Sequence, residues 1–172
     1  MTTDIGEPSV ARPSGDIATA IVAFLRGIGI AVEASPLAED GQLAAMAVRE
    51  GALHYDPARL THPGDLLHEA GHLAVTHPAI RASASDTSFG AVETAAADEM
   101  AAIAWSYAAA TAIGIDPALV FHDDGYGKGG GGYLAENFAA GCYVGVPMLE
   151  YYGLAAREGE GERYPAMQRW LR

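Results

Sequence analysis

Residues 66–73 read Leu-Leu-His-Glu-Ala-Gly-His-Leu and contain the pattern H-E-x-x-H. On an α-helix, positions i and i+4 lie on one face about 6 Å apart, so the rings of His68 and His72 can approach one metal ion. Zinc suits this pair, because it binds histidine nitrogens in a tetrahedral arrangement. Glu69 follows the first histidine directly, where a carboxylate can accept a proton from a water beside the metal. The segment therefore predicts a metal-binding helix with an acid–base group at its side.

The boundaries of this helix can be read from the flanking residues. Thr61-His62-Pro63 is typical of a helix start, because proline is favoured in the first turn. The helix is predicted to run to about Thr76, since Pro78 restricts the residue before it to extended conformations. Apolar residues along the segment would anchor it in a core: Leu66, Leu67, Leu73 and Val75.

The chain before this helix is predicted to form one helix and a small sheet. An apolar stripe at helical spacing predicts a helix over residues 15–28. Residues 30–33, 44–48 and 52–55 are predicted as short strands, with a turn at Glu50-Gly51 between the last two. The alanines in those two segments leave helix open as an alternative.

The chain after the motif is predicted to be mainly helical. A Ser/Asp-rich loop over 81–89 precedes a long alanine-rich helix over 90–113, and Asp116-Pro117 begins a further helical turn. Residues 125–133 are interpreted as a glycine-rich loop, either a gate or a plain connection. Helices are predicted over three later segments: 134–142, 147–154 and 163–172. The predicted fold class is α+β, mainly helical, with a small N-terminal sheet beside the H-E-x-x-H helix and a long helix after it.

The length and composition predict one domain over residues 1–172, with a flexible N-terminus over residues 1–13. Half of the 172 residues are hydrophobic (50%) and 19% are charged, which excludes a disordered chain. The formal net charge of −12 disfavours nucleic acid and anionic membrane surfaces as partners. Residues 17–32 are shorter than the roughly 20 apolar residues of a membrane span, and no basic residue marks a signal peptide in the first ten. We expect a cytoplasmic protein in which Cys142, the lone cysteine, is buried as a small apolar residue.

A catalytic zinc needs a third protein ligand, and the following helix contains three carboxylates: Glu93, Asp98 and Glu99. Glu93 and Glu99 lie about 240° apart around a regular helix, so both cannot face one ion. Asp98 and Glu99 are about 100° apart, so one can bind the ion while the other supports the site. We favour Glu99, because its stripe continues through small residues that allow close helix packing. Asp98 and then Glu93 remain the alternatives.

Other polar residues are weaker candidates for a role in the site. His122 precedes the glycine-rich segment and Tyr126 lies at its start, and each is a candidate for stabilising the oxyanion of a transition state. His77 is interpreted as a histidine at the end of the motif helix, where it favours the helix dipole. His54 and His62 are interpreted as structural or exposed.

The segment 66–73 resembles the active-site helix of the ImmA/IrrE-type metallopeptidases, which are compact gluzincin-like zinc proteases. Residues 99–105, Glu-Met-Ala-Ala-Ile-Ala-Trp, are similar to the E-x-x-A-x-x-aromatic pattern of that family. The resemblance covers about residues 28–110. It implies that His68, His72 and Glu99 bind zinc and that Glu69 is the general base. The wording H-E-A-G-H also resembles the protease domain of membrane-bound AAA proteases, where an aspartate is the third ligand, and this keeps Asp98 open.

Together these observations predict a zinc-dependent hydrolase, with a peptide or protein as the expected substrate. The alternative is a catalytically inactive metal-binding protein of the same fold with a regulatory or interaction role. A third hypothesis is a purely structural helical domain without a metal.

Overall fold

The computed structural model describes residues 14–37, 45–126 and 129–172. The predicted flexible N-terminus, 1–13, lies outside the described residues, as does the first residue of the predicted strand 44–48. Within the described residues the chain is mainly helical and carries one small sheet, so the α+β prediction is confirmed. Of the helices in this part of the chain, none is both long and apolar enough to cross a membrane.

The elements follow one another in an order close to the predicted one. The N-terminal half contains α1 (Ser14–Gly27), β1 (Val32–Ala34), β2 (Met46–Arg49), β3 (Ala52–Tyr55) and the motif helix α2 (Asp65–Val75). Two short helices, α3 (Pro78–Arg81) and α4 (Asp86–Phe89), lead to the long helix α5 (Ala95–Ala112). The remainder comprises a 3-10 turn (Pro117–Leu119), α6 (Asp123–Tyr126), α7 (Gly130–Ala139) and α8 (Val146–Tyr151).

The three strands form a mixed sheet in the order β1-β3-β2. β1 runs parallel to β3, and β2 pairs antiparallel with β3 through the predicted turn. Glu50 and Gly51 both have positive φ, at 49° and 71°, as a tight hairpin turn requires. The helical alternative for these two segments is thereby excluded.

The motif helix and the long helix form the centre of the core. Trp105 and several alanines of α5 are fully buried, as are Leu66, Leu67, Ala70 and Leu73 of α2. A Cβ at Gly71 would lie 2.9 Å from the carbonyl oxygen of Ala102, so the glycine lets the two helices approach closely. This close contact brings the predicted third-ligand helix against the H-E-x-x-H face.

The structure corrects several predicted boundaries. The long helix begins at Ala95 rather than at residue 90, because exposed residues 91–94 form turns before it. The predicted 81–89 loop contains α4, which begins with a Ser85 capping box. The predicted 125–133 loop is largely helical, since α6 ends at Tyr126 and α7 begins at Gly130. A Cβ at Gly131 would lie 2.5 Å from the carbonyl oxygen of Phe121, so the glycine allows α7 to start against this backbone.

Two further predictions for the C-terminal part are wrong. The tail 163–172 contains no helix, and several of its backbone groups bind distant segments. The amide of Gln168 donates to the carbonyl of Leu154, and the amide of Arg172 donates to that of Ala74. Cys142 is exposed rather than buried, because it directly follows the turn at Gly141 that ends α7.

Candidate metal centre

Three predicted ligands lie together where α2 packs against α5. The Nε2 atoms of His68 and His72 are 3.3 Å apart. Glu99 Oε1 lies 3.6 Å from Nε2 of His68, and Oε2 lies 3.3 Å from Nε2 of His72. The three side chains are half-buried, and each points one potential ligand atom at the same point. The two histidines of α2 and the glutamate of α5 therefore come together in one cluster, as the sequence predicts.

The donor atoms of this cluster fit a tetrahedral zinc ion. Zinc lies about 2.0–2.1 Å from nitrogen and oxygen ligands, so two ligands of a tetrahedron stand about 3.3 Å apart. The two imidazole nitrogens, 3.3 Å apart, match this edge length, and a different oxygen of Glu99 faces each of them, at 3.6 Å from His68 and 3.3 Å from His72. Three protein ligands leave a fourth position open, which is the arrangement of catalytic rather than structural zinc.

The structure separates the three candidate carboxylates. Three carboxylates among the described residues were candidates for the third ligand. Of these, only Glu99 lies close to both imidazoles. Asp98 is held elsewhere, because Thr94 Oγ1 donates to one of its oxygens at 2.6 Å and Tyr152 Oη to the other at 2.5 Å. Glu93 is exposed in the turn before α5. Asp98 thus has the position of a supporting group and Glu93 that of a solvated surface residue.

The electrostatics of the site favour neutral imidazoles. Burial lowers the pKa of His68 to about 3, with a contribution from the neighbouring His72. Burial also lowers the pKa of His72 to about 4, although the charge of Asp98 opposes this shift. Both rings are consequently uncharged at neutral pH, which is the form that binds a metal ion.

Glu69 lies in the same cleft as His72 and Glu99. Burial raises the pKa of its carboxyl to about 8, and the charges of Asp86, Glu99 and Asp65 raise it further in that order of importance. A side chain that changes protonation state near neutral pH can take up and release a proton during a reaction. The position and the pKa therefore agree with the predicted acid–base role.

The cleft beside the cluster has a volume of about 840 Å³ and is open to solvent. Its walls combine apolar groups, among them Ile80, Phe89 and Val92, with the carboxylates of Asp86 and Asp98. The ring of Phe89 stacks on His72 with the centroids 5.1 Å apart. Phe89 and Asp86 lie in the segment that the sequence predicts as a loop with capping residues. The Ser and Asp residues at 85–88 are typical of a helix start, and this pattern is the sequence feature that indicates α4.

Tyr126 contacts the first histidine of the motif. Its hydroxyl oxygen is 2.9 Å from Nδ1 of His68, the ring nitrogen that does not face Glu99. When Nε2 of His68 binds a metal ion, Nδ1 carries the proton and donates to the tyrosine oxygen. In this contact Tyr126 can fix the tautomer and orientation of His68. Its predicted role as a stabiliser of the transition state stays a prediction.

We expect Tyr126→Phe to weaken zinc binding about tenfold, because ligand-orienting partners typically contribute 10- to 100-fold in affinity. The phenylalanine ring retains the packing of Tyr126 against Phe121, whose ring centroid is 5.6 Å away. Competition with a chromophoric chelator measures the change. Tyr133→Phe is the matched control, since the side chain of Tyr133 is exposed. Equal zinc affinity in both variants would show that Tyr126 does not contribute to metal binding.

The remaining histidines lie away from the three ligands. His122 contacts Asp65, with Nε2 and Oδ1 2.6 Å apart, and its predicted role at the oxyanion stays a prediction. Its ring stacks on that of His62, with the centroids 3.9 Å apart. His77 is not a helix-end residue of α2, because its ring accepts from the amide of Ala79 and begins α3. His54 pairs with Glu33 on the sheet, as expected of a structural histidine.

Comparison with known proteins identifies no relative of this chain. No protein-family model, no curated protein and no solved structure matches the chain. The resemblance to ImmA/IrrE-type metallopeptidases therefore stays a prediction from the residues.

Proposed function

We propose that this protein is a zinc-dependent hydrolase that cleaves peptide bonds. The observation that carries the proposal is the convergence of three side chains: the Nε2 atoms of His68 and His72 are 3.3 Å apart, and the two carboxylate oxygens of Glu99 lie 3.6 and 3.3 Å from them. This spacing suits a tetrahedral ion with one open position. The buried carboxyl of Glu69 in the same cleft supports a catalytic rather than a purely structural site.

Each residue of the site has a separate role in the proposed reaction. His68, His72 and Glu99 would hold zinc, which when bound supplies the Lewis acidity that activates a water and polarises a carbonyl. Glu69 accepts the proton of the attacking water and later returns it to the nitrogen of the leaving amine. Tyr126 keeps His68 in the required tautomer.

The walls of the cleft indicate which peptides would bind. Apolar side chains such as Phe89 and Ile80 provide contact area, and Asp86 adds negative charge at the edge of the sheet. Together with the net charge of −12, this favours peptides with neutral or basic side chains. We also propose a cytoplasmic location, because a reducing compartment suits the exposed thiol of Cys142.

Metal analysis of the purified protein tests the proposal. We expect about one tightly bound zinc per chain, as in other sites with three protein ligands. His72→Ala is expected to abolish this binding, because only two ligands remain. His77→Ala, which removes an exposed histidine close by in the chain, serves as the matched control and is expected to retain zinc. Elemental mass spectrometry after dialysis measures the content.

Two results would contradict the proposal. If the wild-type protein takes up no zinc on addition of the metal, the cluster is not a metal site. If zinc is bound but no member of a broad peptide library is cleaved, the chain is the metal-binding regulatory protein considered above.

A further inference from the structure

A second cluster of potential metal ligands lies where α2 begins and α6 packs against it. His62, His122 and Asp124 each offer one ligand atom, and these atoms lie within 4.8 Å of one another. Nε2 of His62 is 3.1 Å from Oδ2 of Asp124. Two imidazoles and a carboxylate form a ligand set that first-row transition metals of the zinc, cobalt and nickel class prefer.

The pairing of His122 with Asp65 resembles the way proteins prepare a histidine for a metal. A hydrogen bond from one ring nitrogen to a carboxylate fixes the tautomer and leaves the other nitrogen with a free lone pair. Nε2 of His122 lies 2.6 Å from Oδ1 of Asp65. Its Nδ1 accepts one hydrogen bond, from the backbone amide of Gly125 at 3.3 Å. An ion that binds Nδ1 must displace this single backbone donor, whereas at Nε2 it would have to displace a carboxylate.

The cluster is open enough to close around an ion. Tetrahedral zinc requires ligand atoms about 3.3 Å apart, so atoms as far apart as 4.8 Å must approach by roughly 1.5 Å. The ring of His62, which stacks on that of His122 in a nearly parallel plane, must also rotate out of the stack before both rings can direct a nitrogen at one ion. The side chain of Asp124 is 81% exposed and that of His62 is 36% exposed, so both can rotate without disturbing the core. The ring of His122, which is 14% exposed, provides the fixed side of the site.

We propose that His62, His122 and Asp124 bind a second divalent transition-metal ion, with Asp65 orienting His122. Binding is weaker than at His68, His72 and Glu99, because two of the three ligands must be ordered first. The two sites do not share a ligand. They meet at α6, which carries Asp124 in the second cluster and Tyr126 beside His68.

Zinc titration tests this second site. Chelator-buffered Zn²⁺ with elemental analysis is expected to yield a second, weaker equivalent in the wild-type protein. The double variant His62→Asn/Asp124→Asn is expected to weaken the second equivalent at least tenfold and to leave the first unchanged. The matched control is His54→Asn/Glu33→Gln, which removes another histidine–carboxylate pair, with a separation of 3.6 Å between a half-buried ring and an exposed carboxylate. It is expected to retain both equivalents.

The His72→Ala variant separates this proposal from the proposed function. In that background the first site is lost, and we expect one weak equivalent to persist and to shift the ring-nitrogen NMR signals of His62 and His122. Persistent weak binding supports the second site whether or not the protein is a hydrolase. The proposal is overturned if zinc leaves those two signals unchanged, or if the double variant titrates like the wild-type protein.

Discussion

Replacing Glu69 by glutamine is expected to reduce peptide hydrolysis about 10²- to 10⁴-fold, the contribution typical of a positioned general acid–base group. Glutamine has nearly the same shape as glutamate but cannot accept the proton of the attacking water. The three ligands are unaltered, so the zinc content is expected to remain at the wild-type level. The comparison of turnover with metal content, measured on the same preparation, separates loss of the base from loss of the metal.

Glu93→Gln is the matched control, because Glu93 is an exposed glutamate in the turn before α5. It is expected to retain full activity. Wild-type turnover in Glu69→Gln would contradict the assigned role. Loss of zinc from this variant would instead place Glu69 among the ligands.

The same substitution has an expected effect on stability in the absence of metal. Burial raises the pKa of Glu69 to about 8, well above the ordinary value of 4.5. Between these values the folded protein retains a proton that the unfolded chain has lost, so stability falls as the pH rises through this window. Glutamine does not titrate, so the stability of Glu69→Gln does not fall in this way as the pH rises. With a chelator present, its free energy of unfolding relative to wild type is therefore expected to rise between about pH 4.5 and pH 8.

Replacing Gly145 by alanine is expected to destabilise the fold by about 4 kcal/mol or more, a large fraction of the stability of an ordinary domain. Gly145 precedes α8 at a φ of 77°, where an L-residue costs about 1–2 kcal/mol. In addition, a Cβ at this position would collide with the carbonyl oxygen of Met100 on α5. Ala101 of α5 and Leu149 of α8 are fully buried beside this contact, so the two helices cannot separate without disturbing the core. Chemical denaturation measures the loss.

Gly141→Ala isolates the contribution of this contact. Gly141 has a similar φ of 80°, but a Cβ there would meet nothing within 4 Å. It is expected to cost only the conformational term of about 1–2 kcal/mol. Equal losses in the two variants would mean that the contact with Met100 adds nothing.

The helix that carries the site could be predicted from local residues alone. H-E-x-x-H at helical spacing, bounded by Pro63 and Pro78, specifies α2 and places His68 and His72 on one face. The hairpin turn at Glu50-Gly51 was equally readable, because short-range turn chemistry depends on neighbouring residues. Periodicity also predicted a face of α5 that contains Glu99.

Contacts between groups from distant parts of the chain depend on how the helices pack, which local sequence patterns do not show. Asp98 and Glu99 are adjacent in sequence, and only the angle at which α5 packs on Gly71 directs Glu99 toward the imidazoles. Tyr126 reaches His68, and His122 reaches Asp65, across more than fifty residues. The tail lacked its predicted helix for the same reason, since its backbone groups bind α2 and the segment after α8. Local patterns encode local hydrogen bonds, whereas these contacts depend on how the helices pack.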